Sequence, residues 1–99
     1  MSFQVELHPE VINELQESFE WYEMRSEGLG KRFLSAVNKR MNELALNPEQ
    51  YAKKKKNYRA VAVDTFPYVI VFEILQKEKI VFVSFVFHTK RNPHLKYKR

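Results

Sequence analysis

Four parts of this chain carry groups that can act on a phosphodiester: His88, Arg59, Arg91 and the run Lys53-Lys54-Lys55-Lys56. Metal-free cleavage of RNA needs a base for the 2′-hydroxyl, cations for the phosphorane and an acid for the leaving oxygen. These residues supply all three services if they converge. Each also has a plainer reading. His88 can be a strand-end residue hydrogen-bonded to nearby backbone. Arg91 can brace the tail against a carboxylate. The lysine run can be a solvated loop, or, with Arg59, Lys90 and Arg91, can attract phosphate or an acidic surface without reading sequence, in a salt-dependent way. Tyr97 offers a stacking ring or a phenolic base, or is simply tail. His8, His88 and His94 have no metal-ligand spacing. Glu10, Glu14, Glu17 and Glu20 read as a solvated acidic face, since no second carboxylate pair is placed to close a cage. No metal and no cofactor is expected.

The elements that must position these groups centre on Tyr68–His88. Two runs rich in Val, Ile, Phe and Tyr, YVIVFEI and IVFVSFVFH, flank the polar LQKEK. That pattern predicts a β-hairpin with a loop of 4–5 residues. Both parities of the second run are mostly apolar, which predicts a central strand covered on both faces. Ser84 and His88 share a parity and are expected to point to the same face.

Upstream, Phe3, Val5 and Leu7 alternate with polar residues, predicting a half-buried strand. His8-Pro9-Glu10 opens a helix with proline at its first position. Ile12, Leu15, Phe19 and Tyr22 form its expected apolar stripe, with Trp21-Tyr22 packed between helix and sheet. Gly28-Leu29-Gly30 ends it but is no nucleotide fingerprint, because it follows a helix and lacks a third glycine. A second helix is expected from about Lys31 to Leu46, with Leu34, Val37, Met41 and Leu44 inward and Asn47-Pro48 as its stop. Residues 49–57 read as non-periodic loop, and Tyr58–Val63 as a strand. The expected order is β-α-α-β-β-β: an α+β domain with an antiparallel helix pair on a small, mostly antiparallel sheet.

Ninety-nine residues suit one domain, here 1–99 with a basic tail at 89–99. A hydrophobic share of 44% with 14% aromatics is that of a globular chain. With no cysteine there is no disulfide, thiolate metal site or cysteine nucleophile, as suits a cytoplasmic protein. The N-terminus lacks a basic, then apolar leader, and no run approaches the ~20 residues of a membrane span. A soluble protein without membrane association is expected. Charge is unevenly divided. Residues 1–50 hold five basic and nine acidic side chains, whereas residues 51–99 hold twelve and three. One positive face able to meet a polyanion follows, or else lysines that keep a small domain soluble.

In this order and with these words, the chain resembles the RelE/ParE toxin superfamily of bacterial toxin–antitoxin modules. The marks are Glu20-Trp21-Tyr22-Glu23, Gly28-Leu29-Gly30-Lys31-Arg32-Phe33, Asn47-Pro48, Tyr58-Arg59, Phe66-Pro67-Tyr68 and His88-Thr89-Lys90-Arg91-Asn92-Pro93. The resemblance implies a small toxin neutralised by a cognate antitoxin, as a homodimer or a hetero-oligomer with it. RelE-like members cleave mRNA in the ribosome, a role for which His88, Arg59 and Arg91 would be the catalytic candidates here. ParE-like members poison DNA gyrase and are not known to cleave nucleic acid. FPY and HTKRNP resemble the ParE-type side. RelE-like members often carry an arginine just after the tyrosine of the third strand, and here Tyr68 is followed by Val69. Three functions stand open: a gyrase-directed binding toxin, a ribosome-dependent endoribonuclease, and an interaction module without toxicity.

Overall fold

The computed structural model describes residues 2–90. Strand β1 (Gln4–Leu7) leads through His8 into helix α1 (Pro9–Arg25) and helix α2 (Leu29–Leu46). A single 3-10 turn, Pro48–Gln50, precedes strands β2 (Lys53–Lys55), β3 (Tyr58–Ala62), β4 (Tyr68–Leu75) and β5 (Ile80–His88). The sheet runs β1-β5-β4-β3-β2. β1 is parallel to β5 and every other pair is antiparallel. This is the expected α+β arrangement with one strand more, because the lysine run pairs with β3 instead of looping.

Each helix starts for a local reason. Pro9 lies in the first turn of α1, where a missing N–H costs nothing, and His8 Nδ1 accepts the Glu10 N–H at 3.0 Å. Its buried face is set by Val11 and Tyr22, while Ile12 is 57% exposed. The anticipated stripe therefore begins one residue too late. α2 begins at Leu29, two residues before the expected Lys31. Gly28, at φ +86°, turns the chain between the helices. Gly30 lets them approach, since a Cβ there would sit 2.5 Å from the Phe19 carbonyl oxygen. The Glu23 carboxylate accepts the Gly28, Gly30 and Lys31 N–H groups at 3.2, 2.8 and 3.3 Å, occupying donors that the start of α2 leaves open.

The core lies between the helix pair and one sheet face. Val11, Phe33, Val37 and Leu44 meet Ile70, Phe72, Val81 and Val83 there, all buried. Full burial of each such side chain contributes about 1.5–3 kcal/mol. Phe33, absent from the expected stripe, joins Tyr22, Phe66 and Tyr68 in a cluster of edge-on and tilted rings. The opposite face buries Tyr58, Val71 and Phe85, with Ala60, Val69 and Phe87 against them. β5 is thus interior and apolar on both faces, as its two parities required.

One irregularity re-aims the end of β5. Phe72 pairs with Val83, but its neighbour Val71 pairs with Phe85, so Ser84 is an extra residue. A bulge shifts strand parity by one. Val81 and Val83 face the helices before it, and Val86 faces them after it. Ser84 hydrogen-bonds Tyr58, on the opposite face. His88 pairs with Tyr68 and lies near α1. The expectation that Ser84 and His88 share a face is overturned, because simple alternation does not survive an inserted residue.

Candidate target-binding edge and helix–sheet cleft

The lysine run forms the outer edge of the sheet. Lys53, Lys54 and Lys55 are all exposed in β2, and Lys56 occupies the turn into β3 with φ +54°. Three lysines in a strand run against β-propensity. The pairing of Lys53 with Arg59 and of Lys55 with Tyr58 nevertheless holds them extended. A short, charged edge resists pairing with another such edge. It also presents several ammonium groups in a row, suited to a phosphate backbone or an acidic surface.

Arg59 sits in β3 beside this edge, with its guanidinium directed at the chain leading into β2. Its Nη1 donates to the Tyr51 carbonyl at 2.6 Å and the Glu49 carbonyl at 3.4 Å. Arg59 therefore braces the approach to the lysine strand. It also lines, with Lys53, Asn57, Glu73 and Gln76, a shallow pocket of about 280 Å³.

His88 stands elsewhere. It is paired with Tyr68, whereas Arg59 is paired with Phe72. That separates them by four residues along β4, roughly 13 Å, and by two strands, roughly 10 Å. Arg59 and His88 do not converge on one atom. His88 Nδ1 accepts the Lys90 backbone N–H at 3.1 Å, which matches the plainer reading of this residue, and its ring meets Tyr68 edge-on at 5.3 Å. Lys90 is exposed beyond it. Arg91, His94 and Tyr97 lie outside the described residues.

Around His88 is a cleft of about 380 Å³ between α1 and the ends of β4 and β5, lined also by Glu14, Glu17, Ser18, Trp21, Tyr68 and Val86. The Tyr68 hydroxyl donates to Ser18 Oγ at 2.8 Å, and Glu14 Oε1 accepts the Val86 N–H at 3.2 Å. Trp21, expected between helix and sheet, is instead 40% exposed at the rim, with the Arg25 guanidinium 4.2 Å over its ring. Only its neighbour Tyr22 is buried. Sequence reasoning passed over this wall, although Glu14, Glu17 or Ser18, and Trp21 recur at the spacing of one helix face.

Tyr58 and Arg40 make polar contacts that hold the fold together. Burial pushes the Tyr58 phenol up and Glu73 adds to this, against an opposing hydrogen bond with Ser84. Arg40 clamps α2 to the β3–β4 connection, donating to the Ala62 carbonyl at 2.9 Å and to Asp64 at 2.8 Å. Among the described residues no three His, Asp or Glu side chains gather as metal ligands. None of their helices is long and apolar enough to cross a membrane.

A helix pair on a five-stranded, mostly antiparallel sheet is the fold of the RelE/ParE toxin superfamily. Solved relatives share it at low identity. They include the chromosomal ParDE toxin–antitoxin system from P. aeruginosa, at TM-score 0.75, 10% identity, 88% of this chain and 96% of that one. A mutant of E. coli toxin RelE in the free state superposes at TM-score 0.69, 16% identical over 91% of this chain and 86% of that one. The RelE–RelB complex from Pyrococcus horikoshii gives TM-score 0.61 at 15% identity, over 92% and 99%. No curated protein sequence matches the chain. The sequence profile described as the ParE toxin of the type II toxin–antitoxin system parDE matches residues 5–93, and the chain belongs to that family.

Proposed function

We propose that this chain is a ParE-like toxin that arrests growth by binding an essential target such as DNA gyrase, and that a cognate antitoxin holds it inactive. One observation carries this choice over ribosome-dependent mRNA cleavage. Val69, where RelE-like relatives often place a cation, packs with Ala60, Val71, Phe85 and Phe87 on an apolar sheet face. Cleavage without a metal needs fixed cations around the phosphorane. Here Arg59 is spent on the Tyr51 carbonyl and lies far from His88. Binding has looser demands, which the exposed lysines Lys53–Lys56 and Lys90 meet, with Arg91 next in the sequence.

The antitoxin reading is supported by the family and by solved neighbours that are toxin–antitoxin complexes. An acidic segment of such a partner suits the lysine edge, and the complex should tighten at low salt. The action takes place in the cytoplasm. The test is induced expression with and without a neighbouring open reading frame, followed by growth. Growth arrest relieved by the neighbour supports the proposal. Unimpaired growth favours an interaction module that has lost toxicity.

A further inference from the structure

The sheet face turned away from the helices is apolar and dry. Val71 is 1% exposed there, Phe85 2% and Tyr58 7%. With Ala60, Val69 and Phe87 they form a cluster drawn from β3, β4 and β5 alone. Among the described residues no helix or further strand contributes to it. Strand side chains stand roughly perpendicular to their sheet, so on an open face their outer ends stay wet. Tyr58 hydrogen-bonds Ser84, two strands away, and shields what lies between, but its own ring is buried as well. The N-terminus enters on the helix side, where the Phe3 N–H donates to the Ala45 carbonyl of α2 at 2.7 Å. The chain left to cover this face is 91–99, beyond the described residues.

We infer that residues 91–99 run back across this face as an extended strap, with Leu95 and Tyr97 against Val71, Phe85 and Tyr58. The chain turns at Thr89-Lys90, directly after the level at which Phe87 pairs with Val69. From there nine residues remain, an extended reach of about 30 Å, whereas β3 lies two strands from β5, roughly 10 Å. Pro93, Leu95 and Tyr97 alternate with His94, Lys96 and Lys98, the pattern of a half-buried extended segment. The strap heads for β3, and the lysine strand lies next beyond it. Lys96, Lys98 and Arg99 thereby join the exposed Lys53–Lys56 in one cationic surface. The inference completes the surface used by the binding reading, and rests on that reading only for what the surface meets.

The chain has no cysteine, so Val71→Cys places a single thiol beneath the strap. Val83→Cys places one on the helix-facing side as a control. Labelling by N-ethylmaleimide, which is uncharged and not drawn by lysines, is followed on the purified full-length chain. The Val71→Cys thiol should react slowly, and adding Leu95→Ser/Tyr97→Ser should speed it about tenfold or more. Adding Lys96→Ser/Lys98→Ser instead should change the rate by less than about twofold, and Val83→Cys should stay slow throughout. A Val71→Cys rate that ignores the Leu95→Ser/Tyr97→Ser pair overturns the inference. So does equal acceleration by the two lysine changes. Equal acceleration at Val83→Cys overturns it too, since the tail would then support the domain at large and not this face. No target or antitoxin enters the assay, so its failure leaves the toxin reading standing, to be judged by growth arrest.

Discussion

His88 and Lys90 are joined by a hydrogen bond in which the imidazole Nδ1 accepts the Lys90 backbone N–H at 3.1 Å. The imidazole thus ties the end of β5 to the first residues of the basic tail. It stands far from Arg59, the other described member of the trio suggested for RNA cleavage. His88→Ala should therefore keep most of the growth inhibition of the parent, with a melting temperature lower by a few degrees for the lost hydrogen bond. Growth curves and thermal melts check it, and complete loss of toxicity in a folded variant would point to proton transfer at His88.

The two glycines at the start of α2 should fail for different reasons. At Gly30 a Cβ would lie 2.5 Å from the Phe19 carbonyl oxygen and 2.7 Å from Glu23 Cγ, and the backbone of α1 cannot yield. Gly30→Ala should cost roughly 2–4 kcal/mol. At Gly28 nothing lies within 4 Å, so only the positive φ of +86° opposes a side chain. Gly28→Ala should cost about 1 kcal/mol. Denaturant melts rank the two, and the reverse order would contradict the described helix approach.

Glu23 gives the domain a pH signature. Its carboxyl is held below the ordinary value, first by the Gly28 N–H and also by those of Lys31 and Gly30, against some desolvation. A depressed folded value means that the unfolded state binds the proton more readily. The contribution is then fully present above the usual carboxylate range and is lost as pH falls through the folded value. Glu23→Gln should melt below the parent at neutral pH, and the gap should close under acid. A gap independent of pH would mean that the charge on Glu23 plays no part.

Val83 is fully buried on the helix-facing side of β5, next to the bulge. Val83→Asp should cost roughly 3–5 kcal/mol through an unpaired buried charge. A variant that melts like the parent would refute the placement of β5 inside the sheet.

The sheet's centre was legible because Ile80, Phe82 and Val86 on one parity and Val81, Val83, Phe85 and Phe87 on the other leave no mainly polar face for an edge strand. The bulge was not, since Ser84 reads as an ordinary strand position and only the pairing of Val71 with Phe85 shows it to be extra. The lysine strand was hidden by composition: lysine disfavours strands, and pairing with Tyr58 and Arg59 holds Lys53–Lys55 extended. Arg59 was legible as a cation at the beginning of a strand, but its bond to the Tyr51 carbonyl depends on how the loop folds back. The cleft wall was misjudged because Trp21 beside Tyr22 looked like core, whereas the helix turns one ring inward and the other to the rim.

The central claim is that toxicity arises from binding through the basic edge and tail, without cleavage of RNA by this chain. Its most direct test maps nucleic-acid breaks in cells expressing the protein, with Arg91→Glu in parallel. DNA breaks covalently linked to gyrase should accumulate with the parent and fall sharply with the folded Arg91→Glu variant, while mRNA stays intact on the ribosome. Ribosome-dependent cuts within translated mRNA, without gyrase-linked DNA breaks, would contradict the claim and make the protein an endoribonuclease.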